Sequence, residues 1–185
     1  MPSFDKIIEG FPHPTVQPIV GQPAFDTLKS LKLLLSTNAA SVVSHLGNGA
    51  LGLLWLVVSN TVYNTLSATP FVPPPNPGPV PIIPVGSTGA QITVITDNHT
   101  REAKLFHEFN NTDKALKQLL LGAVEDMFTR GLKNRYIGYA NVSTKDLLAH
   151  LFTTYGRISG NDLRRNEAAM TVPYDVNLPI EVLFD

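Results

Sequence analysis

Eight of the fifteen prolines in this 185-residue chain fall between Pro70 and Pro84. Proline lacks a backbone donor and clashes with the preceding helical turn, so such a segment forms neither a helix nor a central strand. Residues 70–86 are therefore a proline-rich spacer, and the core must come from the text on its two sides. The first side opens with Pro2, Pro12, Pro14 and Pro18 among scattered apolar residues, which predicts an extended arm over 1–22 with little regular structure. From Pro23, Phe25, Leu28, Leu31 or Lys32, Leu35, Val42 and Leu46 keep helical register, with Gly47 as a stop. Ser36-Thr37-Asn38 is the place where that helix would break.

Leu51 to Val58 is an apolar run too short to cross a bilayer, which takes about 20 helical residues. It reads as a buried strand or a core helix segment, and its flanking glycines and Val57-Val58 favour a strand. Ser59-Asn60 then caps a short helix through Tyr63 and Leu66. Residues 23–69 thus form a helix plus an apolar segment. Around them lies a wider anomaly: the 64 residues from Leu33 to Thr96 contain no Asp, Glu, Lys or Arg. A core element followed by a spacer explains this, and so does a subunit contact, because interface centres are depleted in charge. On the second reading the candidate assembly contacts are Leu53, Leu54, Trp55, Phe71 and Val72.

The other side, 87–185, is helical in pattern. Ser87 and Thr88 offer a cap, and Ile92, Ile95, His99, Ala103 and Phe106 step down one helical face to about Asn110. Asn110-Asn111-Thr112 is a break or a polar patch, after which Leu116, Leu119, Leu120, Ala123, Val124 and Met127 make a second stripe to about Leu132. Gly138-Tyr139-Ala140 turns into the best-specified helix, Asn141 to Gly156. Ser143 and Asp146 form its capping pair, Leu147, Leu148, Leu151, Phe152 and Tyr155 its apolar face, and Gly156 can take a left-handed cap. A further helix starts at Ser159 or Asn161, runs through Met170 and ends at Pro173. IEVLFD reads as a last helix cut off in its first turns, so the chain is expected to be truncated at its C-terminal end.

Composition restricts function. A formal net charge of −1 argues against a phosphate backbone held by this chain alone, since that needs clustered Lys and Arg. Arg130, Lys133 and Arg135 make one small basic cluster, a weak candidate RNA contact. Without cysteine there is neither a disulfide nor a thiolate zinc site. The start MPSFDKIIEGFPHP lacks an apolar run behind a basic residue, so it is not a secretory signal, and a cytoplasmic location is expected.

Gly47-Asn48-Gly49-Ala50-Leu51-Gly52 matches G-x-G-x-x-G, but that fingerprint needs a strand before it and an acid about 20 residues on, and the next acid is Asp97. A nucleotide-binding enzyme therefore ranks third. His99 and His107 lie two turns apart, too far to chelate one ion, and His13, His45 and His150 do not cluster with them. No catalytic residues, cofactor, metal or small-molecule substrate are expected. The strip Pro73 to Pro79 could also lie in a proline-reading groove, which defines an adaptor as the alternative function.

Several phrases carry a resemblance that chemistry alone does not give: PHPT at Pro12, PIVG at Pro18, SNTVYNTLSATPFVPP around Tyr63, NPGP at Asn76, IPVGSTGAQI from Ile83, TDKALKQ from Thr112, GAVEDM from Gly122, GYANVSTKDLLAHLFTTYGRIS from Gly138 and PIEVLFD at the end. In these the chain resembles the Gag-like proteins of copia-type LTR retrotransposons, the diatom and algal type in particular. The resemblance implies a mainly α, capsid-like domain with an extended arm and a proline-rich spacer, and at most a minor β element. It implies a structural protein, not an enzyme, that self-assembles into a homo-oligomeric shell around element RNA. The chain departs from many Gag proteins in having no cysteine-rich knuckle and no basic tail, so only weak RNA contact is expected of it, and no membrane contact.

Overall fold

In the computed structural model, residues 4–157 and 160–170 are described. Their regular structure is helical: α1 Phe4–Glu9, α2 Phe25–Ser41, α3 Asn60–Leu66, α4 Gly89–Ala123, α5 Asp126–Thr129, α6 Thr144–Tyr155 and α7 Gly160–Met170. Among the described residues there is no strand, and one isolated bridge pairs Asn134 with Gly138. The mainly α expectation holds.

The caps fall where the local chemistry puts them. Ser143 Oγ accepts from the Asp146 amide at 3.1 Å, and an Asp146 carboxylate oxygen accepts from the Ser143 amide at 3.2 Å. Each side chain thereby satisfies a donor that the first helical turn leaves orphaned. Thr88 and Gln91 do the same at the start of α4, and Ser59 Oγ accepts from the Val62 amide at the start of α3. Gly156 does end α6, but at φ −80°, outside the left-handed region. It is needed for space instead: a Cβ there would lie 2.6 Å from the Phe152 carbonyl oxygen.

Leu147, Leu148 and Leu151 of α6 pack with Leu28, Leu31 and Leu35 of α2 and with Leu116 and Leu120 of α4 in one core. A second tie joins α6 to α4, where Asp113 accepts at its carboxylate from the Thr144 amide and at its backbone carbonyl from the Thr144 hydroxyl, both at 3.0 Å. Asn110-Asn111-Thr112 does not break α4. Asn110 and Thr112 hydrogen-bond back to the carbonyls of Phe106 and Glu108, one turn earlier, and so ride within the helix. The second stripe stops at Ala123, short of Leu132, and α5 and a 3₁₀ turn over Arg130–Leu132 follow.

The predicted helix over 23–47 also ends early, at Ser41, and it runs unbroken through Asn38. The expected strand at 51–58 is absent. Gly52 takes φ +51° with its Cα against the carbonyls of Ala40 and Val42, where a Cβ would collide with both, and Leu54–Leu56 is a 3₁₀ turn. The run buries Leu53, Leu54, Leu56, Val57 and Val58 while Leu53, Leu56 and Val57 donate to Ala39, Leu53 and Leu54. With no neighbouring strand to pair with, turn hydrogen bonds meet the backbone's needs and β propensity is overridden.

The arm differs most from expectation. Residues 4–9 are helical, Ile7 and Phe11 enter the core, and α1 packs against α4. Buried Asn38 then clamps the arm: its Oδ1 accepts from the His13 amide at 2.9 Å and its Nδ2 donates to the His13 carbonyl at 2.7 Å. Ile19 donates to the Ala123 carbonyl at 2.8 Å. The arm is ordered on its own core.

The spacer is extended, as its prolines require, and returns along the first half of α4. Phe71 stacks on Phe109 at 6.0 Å, the Gly78 carbonyl lies 3.2 Å from His99 Nε2, and Pro84 accepts from the Ser87 hydroxyl. The predicted end of α7 at Pro173 and the IEVLFD segment lie outside the described residues.

Candidate functional site at Trp55 and Lys145

The candidate assembly contacts divide. Leu53 is fully buried, and Leu54 and Phe71 are buried in the chain's own core with 8% of their surface left exposed. Their lack of charge reflects burial within the protomer. Val72 is 70% exposed, and Trp55 is half-buried at the rim.

Trp55 is held by aromatic rings from three segments. Phe71 at the head of the spacer stacks on it at 5.2 Å and 11°, Phe109 of α4 lies 6.0 Å away, and Tyr63 of α3 meets Phe71 edge-on at 5.6 Å. Edge-on and offset rings of this kind add about 0.5–1.5 kcal/mol per pair beyond area burial. Over the Trp55 ring sits a cation, with Lys145 Nζ 3.4 Å from its centroid.

Lys145 arrives from the first turn of α6, and its other partner is Asn60 Oδ1 at 3.5 Å. Burial lowers its pKa from 10.5 to about 8, with the Asp146 charge pulling the other way. A recess of about 240 Å³ opens beside it, walled by Trp55, Phe109, Asp113, Lys117, Asn141 and Lys145 among others. Lys117 is bound 3.6 Å from Asp113 and donates to the Tyr139 carbonyl at 3.2 Å.

The basic cluster has a different character. Lys133 pairs with Asp126 at 2.9 Å, and Asp126 also accepts from the Tyr139 hydroxyl at 3.1 Å. That pairing raises the Lys133 pKa and, with the Tyr139 bond, lowers that of Asp126. Lys133 is thus partly neutralised. Arg130 and Arg135 are exposed, and Arg135 lies over the ring of Tyr136, which is 87% exposed at the tip of the Asn134–Gly138 turn. The cluster occupies a 3₁₀ turn and a loop, not a long helix end.

The glycine motif is a turn in which Gly47, Asn48, Gly49 and Gly52 all have positive φ. A Cβ on Gly47 would strike the Tyr63 hydroxyl. Among the described residues no three His, Asp or Glu side chains gather as a metal site, and no helix is long and apolar enough to cross a membrane.

Lys145 was not singled out by sequence. Two signals mark it in retrospect: a lysine in the first turn of a well-capped helix, where the dipole disfavours a cation, and a single tryptophan in the chain. No family model, curated protein or solved structure matches this chain.

Proposed function

We propose that the chain is a structural, Gag-type protein whose copies assemble into a shell. The phrases shared with copia-type Gag proteins support this reading, and the mainly helical fold agrees with it. The observation that carries it is the exposed apolar side chains along the spacer and the first half of α4. Val72, Val80, Ile82, Val85 and Val94 are exposed there, in a stretch without a charged residue before Asp97. Uncharged apolar groups left in water are what a second copy would cover. The assembly surface therefore moves from the apolar run at Leu53 to these residues.

Ile82→Glu with Val85→Glu tests it. Both side chains are free of the core, so the helical circular dichroism should persist while the particle size seen by light scattering falls to that of small species. Particles of unchanged size would place the contacts elsewhere. RNA contact, where present, falls to Arg130 and Arg135 more than to Lys133, and is weak and strongly salt-dependent. Filter binding with submicromolar affinity at physiological salt would contradict that. The adaptor reading rests on the same exposed prolines; a soluble proline-reading domain binding monomers that never assemble would favour it.

A further inference from the structure

Lys145 is held at a cost that the Trp55 ring, Asn60 and the Asp146 charge offset only in part. Its ammonium is half-buried in the first turn of α6, and Asn60 Oδ1 at 3.5 Å is at the limit of a hydrogen bond. Lys117 and Lys133 each hold an aspartate, whereas among the described residues Lys145 forms no ion pair. The carboxylates of the recess wall and of its own helical turn are already engaged: Asp113 by Lys117 and the Thr144 amide, Asp146 by Ser143. The ammonium therefore faces the recess without a direct ion pair, with the Asp113 carboxylate in the same wall held by Lys117 and the Asp146 charge acting on it from the helix. A local cost of this kind, offset only in part, is characteristic of functional positions.

The recess limits what can answer that charge. Its volume of about 240 Å³ is below the range of about 300–1,000 Å³ usual for larger ligands, so it suits a compact group. The Trp55 ring already carries Phe71 and the ammonium, which leaves the N–H groups of Lys145 as the recognition element. Asn141 and Lys117 also line the wall, beside the Asp113 carboxylate that Lys117 already holds. We infer that this recess binds a compact oxyanion, a phosphate or a carboxylate, on the Lys145 ammonium. A bound anion would convert the unpaired cation into a charge-assisted hydrogen-bonded pair. The inference is independent of shell formation.

Trp55 is the single tryptophan, so its emission reads the ammonium above it. In the full chain, the emission should titrate with the Lys145 pKa near 8. Inorganic phosphate at about ten times its dissociation constant should move that midpoint up by about one pH unit, because binding to the protonated form is linked to proton uptake. Acetate tests the carboxylate. Sodium chloride at matched ionic strength should leave the midpoint in place, Lys145→Met should abolish the phosphate response, and Lys133→Met should retain it. Lys145→Arg, which keeps the charge, should still show phosphate-dependent emission, which guards against a misfolded Met variant. A midpoint that rises with protein concentration, without added anion, would show that contact between copies and not a small oxyanion acts on Lys145, and would overturn the inference. Equal midpoints in phosphate, acetate and chloride, or an undiminished response in Lys145→Met, would overturn it.

Discussion

From Asn110 to Ala123, α4 buries Thr112, Ala115, Leu116, Leu120 and Ala123, and from Gly89 to Phe109 it buries no residue. Both halves carry an apolar stripe, so the stripe alone does not decide burial. α4 packs against α1, α2 and α6, and every residue it buries lies in its second half. The first half meets an extended proline strap that supplies few side chains and touches it at separate points, Phe71, Gly78 and Pro84 to Ser87. Periodicity states which face of a helix is sticky; the rest of the chain decides what covers it.

Substitutions can break that contrast, beginning with the largest. Leu116→Ala, at a fully buried site in the second half, should lower unfolding free energy by about 2–5 kcal/mol in denaturant melts. A loss below about 0.5 kcal/mol would mean the two halves do not differ. Asn38→Ala removes both bonds to His13 and leaves its part-buried backbone groups without that partner, for about 1–3 kcal/mol. Amide exchange over residues 4–19 should quicken with it, and unchanged exchange there would detach the arm from the clamp. Thr88→Ala deletes the cap of the exposed half, worth about 1 kcal/mol to a helix end. Its effect should be local, with faster exchange near residues 90–100 and little shift in the global midpoint; a full cooperative loss would show that α4 unfolds as one unit. Val94→Ala, at a 58% exposed site, should stay within about 0.5 kcal/mol.

The junction of the two halves can be probed by pH. Phe109 stands where the strap enters the core, and Lys145 covers the aromatic stack there. Its folded pKa, about 8, is below the unfolded value of 10.5, so between these pH values the unfolded chain holds a proton that the folded chain has released. This group's contribution to stability therefore rises as pH climbs through that window and is lost as pH falls back to 8. The wild-type profile minus that of Lys145→Met should slope upward from pH 8 to 10.5; a flat difference would mean the ammonium is fully solvated.

What was legible in the sequence is what depends on near neighbours. Ser143 with Asp146, Thr88 with Gln91, and Ser59 all cap within four residues, and the α6 stripe follows from one repeated spacing. What escaped depends on distant partners. Val57 and Val58 favour a strand, yet among the described residues there is no strand to pair with them. The prolines of the arm suggested an extended tail, but Ile7 and Phe11 found the core once Asn38 could hold His13 from 25 residues away. Lys145 was obscured in the same way, because Trp55 is 90 positions distant in sequence and adjacent in space.

The bond from Ile19 to Ala123 also sets a clock. The arm is synthesised first, but one of its anchors is made 104 residues later. At about 5–20 residues per second, the Ile19 amide waits on the order of 5–20 s for its Ala123 partner on the growing chain. A ribosome that slows across residues 20–123 lengthens the interval in which two nascent chains could trade arms, so translation speed, and not only sequence, governs how often each arm folds home.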